Sequence, residues 1–170
     1  MNVRTIFILI LFIEAIICGC GSESYTFEME PSGTKVIKGV LHRNDLEEDS
    51  LFTWFKANYQ SYTPDAAAIK EIELLVKDVH FFLVLGTWCG DSKREVPKMF
   101  KVFDAMDISK KKIELFGVDR SKRSQDGTTD KYNVQRIPTL LVFRGEQEIG
   151  RIVENPRDSQ EKDLLRILQR

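Results

Sequence analysis

Three features of the sequence predict an α/β sandwich around a sheet of mixed strand direction. The run "HFFLVLG" (His80 to Gly86) is apolar throughout, as a strand covered on both faces requires. Downstream, "TLLVF" (Thr139 to Phe143), "RGEQ" and "EIGRIV" (Glu148 to Val153) read as strand, turn and strand. Around these lie stretches whose apolar residues recur at helical spacing, and strands interleaved with helices build layered α/β structure.

Taken in order, "GSESYTFEMEPSGT" (Gly21 to Thr34) is polar and rich in small residues and is expected to be a tether. "KVIKGVLH" (Lys35 to His42) alternates in part, as an edge strand does. "NDLEEDSLFTWFKANYQSY" spaces Leu46, Leu51, Phe52, Phe55 and Tyr59 as one helix with an acidic first turn. Thr63, Pro64 and Asp65 signal a helix start, and the segment to Lys77 sets Ala68, Ile69, Ile72, Leu75 and Val76 along one side. After the His80 strand, Val96, Met99, Phe100 and Phe103 mark another helix, bent where Pro97 removes a backbone donor. "KIELFGVD" (Lys112 to Asp119) predicts a second interior strand, and "RSKRSQDGTTD" (Arg120 to Asp130) a polar loop with no core residue. Beyond the hairpin, Asp158 to Gln169 with Leu164, Leu165 and Ile167 forms a closing helix.

At 170 residues, 42% hydrophobic and 30% charged, the chain has enough length for one well-buried domain plus some extra sequence. Its 25 basic and 26 acidic residues nearly cancel, and the densest basic block is Lys110 to Lys112, which argues against nucleic acid as a partner.

The N-terminus differs from the rest. Arg4 precedes an apolar run from Ile6 to Ile17, interrupted by Glu14, that is shorter than the ~20 residues of a membrane span. It reads as a secretory signal over residues 1–19. The end of the run, "ICGC", resembles a bacterial lipoprotein signal, with small Gly19 before Cys20, the residue that such signals lipidate. An uncleaved N-terminal anchor is the alternative, and either form holds the domain at a membrane outside the cytosol. Of Cys18, Cys20 and Cys89, cleavage removes the first and thioether formation blocks the second. One free thiol remains, so no intramolecular disulfide is expected.

Trp88-Cys89-Gly90 at a strand-to-helix junction, Pro97 eight residues past the cysteine, and Ile137-Pro138-Thr139 leading into the hairpin keep a consistent register. Together they resemble the thioredoxin superfamily over residues 79–170, and "GTWCGDSKREVP" is similar to a bacterial envelope subgroup with an extra N-terminal segment. The resemblance implies a three-layer sandwich with a central mixed sheet. It divides the chain into a signal (1–19), a tether (20–34), an N-terminal strand and helical extension (35–78) and a thioredoxin-like domain (79–170).

Cys89 falls where unpaired helix N–H groups and the helix dipole stabilise negative charge on sulfur, with Lys93 and Arg94 adding to that effect and Asp91 opposing it. The alternative is a buried, inert cysteine. Trp88 either covers the site, as the resemblance implies, or simply packs in the core. Gly90 allows a tight turn with accessible backbone. The resemblance also implies a cis Pro138 that sets the backbone of Ile137 beside Cys89, free to pair with an extended peptide.

Two departures from the family pattern matter. Ser92 stands in place of the resolving cysteine; its hydroxyl can donate to the Cys89 thiolate but cannot resolve a mixed disulfide. Leu83 replaces a buried carboxylate that thioredoxins use in proton transfer. Other chemistries fit less well. A monothiol glutaredoxin would show a downstream double glycine, and a peroxiredoxin needs threonine where Gly86 stands. His42 and His80 have no metal-ligand spacing with Cys89, so neither metal nor cofactor is expected.

Two functions remain. In the first, Cys89 exchanges with protein thiols and disulfides of the cell envelope and an external thiol resolves the product, the protein being lipid-anchored and facing the periplasm or cell surface of a Gram-negative-type bacterium. In the second, the groove between Trp88 and Ile137-Pro138 only binds extended peptides. Oligomeric state is open.

Overall fold

A computed structural model describes residues 25–170, so the expected signal segment and Cys20 lie outside the described residues. Six strands, β1 (Tyr25–Met29), β2 (Lys35–Leu41), β3 (Val79–Leu85), β4 (Ile113–Gly117), β5 (Thr139–Arg144) and β6 (Gln147–Val153), form one sheet. Their order is β1-β2-β4-β3-β5-β6. Only β3 and β4 run parallel, which makes the sheet mixed as the sequence predicts. The helices are α1 (Arg43–Glu47), α2 (Thr53–Gln60), α3 (Ala66–Leu75), α4 (Gly90–Ala105), α5 (Thr128–Lys131) and α6 (Gln160–Leu168).

Continuous apolarity puts β3 near the middle of the sheet. Phe81, Leu83 and Leu85 join the larger core, with Phe55 of α2, Ile72 of α3, Met99 and Phe103 of α4, and Leu164 of α6. Phe82 and Val84 face the other way, onto Phe116, Leu141 and Phe143 of neighbouring strands and onto Val118, Val134 and Ile137 from the segment between β4 and β5. A polar residue on either face of β3 would therefore lose its water without gaining a partner.

Four expectations change. Residues 25–29, read as part of a tether, form β1, which pairs with β2 from Tyr25 opposite Gly39 to Met29 opposite Lys35. The edge position thus passes to β1, and β2 lies inside the sheet against β4. Close approach there depends on Gly117, where an added Cβ would stand 2.5 Å from the Ile37 carbonyl oxygen. The single helix expected around Leu46 to Tyr59 is broken by Asp49, whose carboxylate accepts from Leu51 N–H at 2.8 Å and caps a 3-10 turn, Ser50–Phe52. Leu51 ends 52% exposed, while Phe52 and Phe55 stay in the core. The loop read as lacking core residues contains α5, and Thr129 is buried with its Oγ1 accepting from Ser124 N–H at 3.0 Å. By contrast α4 runs as one helix through Pro97.

The N-terminal helices are tied to the C-terminal one at Glu161. Its buried carboxylate accepts from Tyr62 Oη at 2.6 Å and from Asp65 N–H at 3.1 Å. Burial alone would raise the Glu161 carboxyl, yet these donors outweigh it and hold it below its ordinary value of 4.5. Burial and the adjacent carboxylate push the Tyr62 hydroxyl well above its usual range. Because the folded carboxyl titrates below the unfolded one, its anion contributes stability above the unfolded value, and that contribution drains away as pH falls through the folded value. Glu161→Gln is expected to flatten the loss of stability between roughly pH 5 and 3 in urea unfolding. An unchanged slope there would show that Glu161 does not drive it.

Candidate functional site

β3 ends at Leu85 and α4 begins at Gly90, so residues 86–89 must turn the chain at the carboxyl end of an interior strand. Cys89 N–H donates to the Gly86 carbonyl at 2.9 Å and closes the turn, while the Cys89 carbonyl accepts from Lys93 N–H at 3.0 Å and starts the helix. Cys89 is therefore the N-cap residue, extended at φ −80° and ψ 127°. Its thiol is half-buried and is the free cysteine among the described residues.

Across from it, the Ile137-Pro138 peptide is cis, and the Ile137 carbonyl accepts from the Cys89 thiol at 3.7 Å. The structure thus brings together two loops 48 residues apart in the chain. Gly86 is the floor of this meeting point. A Cβ there would lie 2.7 Å from Ile137 Cδ1 and 2.8 Å from Trp88 Nε1, so any side chain would push the two walls apart.

Trp88 is both packed and presented. Its Nε1 donates to the Val118 carbonyl at 2.9 Å, and the residue packs against the smaller core. The Arg120 guanidinium carbon lies 4.9 Å from the ring centroid. Gly90 is exposed, with open space where a Cβ would stand, and leaves the sulfur approachable from that side.

Ser92 lies inside the turn. It is fully buried, and its Oγ accepts from Gly86 N–H at 3.2 Å. The hydrogen bond that the structure gives Ser92 braces the turn, while the one it gives the Cys89 sulfur goes to Ile137. Leu83 is likewise sealed in the larger core, as hydrocarbon in the position where the family pattern has a carboxylate. Asp91 is paired with Arg94, whose guanidinium is held above its usual range by that hydrogen bond and by a second to Glu95.

Thr87 escaped the sequence reading. It is 1% exposed, its Oγ1 donates to the Lys35 carbonyl at 2.7 Å, and the same oxygen accepts from Ile37 N–H at 3.2 Å. The hairpin strand β2 is thereby pinned to the turn that carries Cys89. No local pattern reveals this, because the partners are 50 and 52 residues away. Arg120 and its partner Glu30 were also missed, hidden in segments read as loop and tether.

A sizeable hollow lies away from Cys89. A cavity of about 390 Å³ lined by His42, Arg43, Phe100, Asp104 and Ile113 opens at the start of β4, the end of the sheet opposite to Cys89. His80 is stacked on Phe143 with ring centroids 5.0 Å apart, and no cluster of three or more His, Cys, Asp or Glu among the described residues could hold a metal. The arrangement offers one sulfur, one adjacent carbonyl edge and one aromatic wall. Thr87→Val keeps the side chain's shape but leaves the Lys35 carbonyl and Ile37 N–H unpaired, and should cost about 1–3 kcal/mol in denaturant unfolding. A cost near zero would mean that β2 does not depend on Thr87.

Comparison with known proteins agrees with this fold. Residues 67–169 match the family model described as thioredoxin. Over 87 residues the chain is 41% identical to a thioredoxin of Echinococcus granulosus, covering 51% of this chain and 71% of that protein. It is 26% identical over 84 residues to protein disulfide isomerase-like 1-1 of Arabidopsis thaliana, covering 48% of this chain but only 17% of the relative. Among solved structures, a protein of unknown function from Pseudomonas aeruginosa aligns with a TM-score of 0.57 at 16% identity, over 76% of this chain and 92% of that one. An HIV epitope-scaffold aligns at 0.50 with 18% identity, over 68% and 80% of the two chains. At those identities the structures speak for the fold alone. The hairpin β1-β2 lies outside the matched interval, whereas the Cys89 turn, α4 and all strands from β3 to β6 lie within it. This chain belongs to the thioredoxin family.

Proposed function

We propose that the protein is a monothiol thiol–disulfide exchange protein of the cell envelope, held at the membrane through Cys20 and acting through Cys89. The observation that carries the reading is the contrast between two side chains of the same turn. Cys89 is half-exposed beside the Ile137 carbonyl, whereas Ser92 is buried and engaged with Gly86. A sulfur so placed can be reached by a partner and has no second thiol beside it.

The steps balance as follows. The Cys89 thiolate attacks one sulfur of a partner disulfide, the partner's S–S bond breaks, and its other sulfur leaves as a thiolate that takes up a proton. The new Cys89–partner disulfide is then opened by an external thiol. Net reduction consumes two external thiols, which end as their own disulfide. If another cysteine thiolate of the partner attacks the partner sulfur bound to Cys89, Cys89 leaves as thiolate, a new partner disulfide forms and the result is isomerisation, whereas return of the freed thiolate only reverses the first step. Trp88 and the backbone at Ile137 flank the sulfur and are suited to hold an extended partner segment during these steps.

Ser92 and Leu83 also suit a second reading, in which the same groove binds peptides without exchange. Trapping separates the two. Incubated with disulfide-containing envelope proteins, the chain should form mixed disulfides that vanish with reducing agent, and Cys89→Ser should form none. Its turnover of insulin should stay near background until excess small thiol is added. Binding that survives Cys89→Ser unchanged, with no mixed disulfide from the parent chain, would favour the binding module.

The anchor is independently testable. Four residues separate Cys20 from Tyr25, and the five steps along the chain reach at most ~17 Å, so a lipid on Cys20 would hold the domain close to the bilayer. A clickable palmitate analogue should label the chain in bacterial cells and fail to label Cys20→Ser. Equal labelling of both would remove Cys20 as the anchor.

A further inference from the structure

The hairpin outside the family match touches the site at a second place. Glu30 follows β1 in the hairpin turn, and its Oε2 accepts from Arg120 Nη2 at 2.7 Å, with Arg120 Nε donating to the other oxygen. That two-point grip fixes a planar guanidinium, which lies over the Trp88 ring at 4.9 Å. Trp88 is pinned from its other edge by the Val118 carbonyl at 2.9 Å. The Arg120 side chain is 58% exposed, so it stands at the surface beside the ring of the residue that precedes Cys89.

We propose that Arg120, clamped by Glu30, is a positioning residue that holds the Trp88 indole as a fixed wall of the groove beside Cys89, and that the N-terminal hairpin thereby favours extended polypeptide partners over small disulfides. The inference rests on the exchange reading above and adds what selects the partner. Its physical basis is simple. A free indole at a loop can swing over the sulfur or away from it, and binding a peptide against it then costs the ordering of the ring. An indole already sandwiched between a guanidinium and the smaller core has given up that freedom in advance. A small disulfide reaches the sulfur without using the wall and gains nothing from it. The Arg120 hydrogen bonds hold the Glu30 carboxyl below its usual range, so the clamp persists into mildly acid conditions.

The test uses the full chain in mild detergent, as parent, Arg120→Ala and Glu30→Gln, each reacted with an uncharged aliphatic small-molecule disulfide and with an unfolded peptide carrying one mixed disulfide. Both variants are expected to slow the peptide reaction about two- to fivefold and leave the small-disulfide reaction unchanged, the size that an exposed cation–π contact supplies. In a Trp54→Phe background, where Trp88 is the only tryptophan, both should also make its fluorescence more easily quenched by acrylamide. That background is mild because the buried Trp54 Nε1 has no hydrogen-bond partner to lose. Equal slowing of both disulfides, or no change in quenching, would overturn the proposal. If the parent reacts with neither disulfide, the exchange reading fails. The wall is then judged by affinity for the same peptide with its cysteine replaced by serine: weaker binding by Arg120→Ala supports it and equal binding rejects it.

Discussion

The position of one sulfur is set by how an interior strand is made to end. β3 is apolar on both faces and cannot leave the sheet gradually, because any continuation in line would carry uncovered hydrocarbon into water. The chain turns instead within four residues, closed by the Cys89 N–H on the Gly86 carbonyl, and at once begins α4. Cys89 sits at that corner as the N-cap, and the side-chain-free Gly86 lets Ile137 and Trp88 close around it. Without this turn there is no meeting of the two loops and no groove.

Each remaining contact of the site holds that corner in place. Ser92 ties α4 back to the turn from inside, and Thr87 ties the turn to β2. Ile137 closes it from the β5 side. Ser92 and Thr87 are buried, and the hydrogen bonds they make go to backbone groups, so they act as structural pins of the turn. A hydroxyl at position 92 makes no substitute for a second thiol, because oxygen cannot take up a sulfur to open a mixed disulfide.

The hairpin extends a family domain at the edge of its sheet. By pairing with β4 through Gly117, β2 covers a strand edge that would otherwise be open, and β1 takes the edge in its place. That same addition carries Glu30 to the rim of the groove. One insertion therefore both completes the sheet and changes the surface next to the sulfur, which is how a common fold acquires a distinct site.

The residues alone determined the strands β3 to β6, the long helix after Cys89 and the juxtaposition of Cys89 with Ile137 and Pro138, because periodicity and family landmarks are local signals or recurrent ones. The strand at Tyr25 to Met29 was also legible in its strict alternation, but its polar composition led to a tether instead. What only the tertiary structure decided is where polar side chains spend their hydrogen bonds. Asp49 breaks a helix by capping a turn, Thr87 finds two backbone partners in β2, Ser92 turns to Gly86, and Arg120 joins Glu30 to Trp88. Apolar patterning is read from spacing, since burial depends only on which side of an element a residue occupies. A hydrogen bond depends on which distant backbone arrives within about 3 Å, and that is fixed only once the sheet has formed.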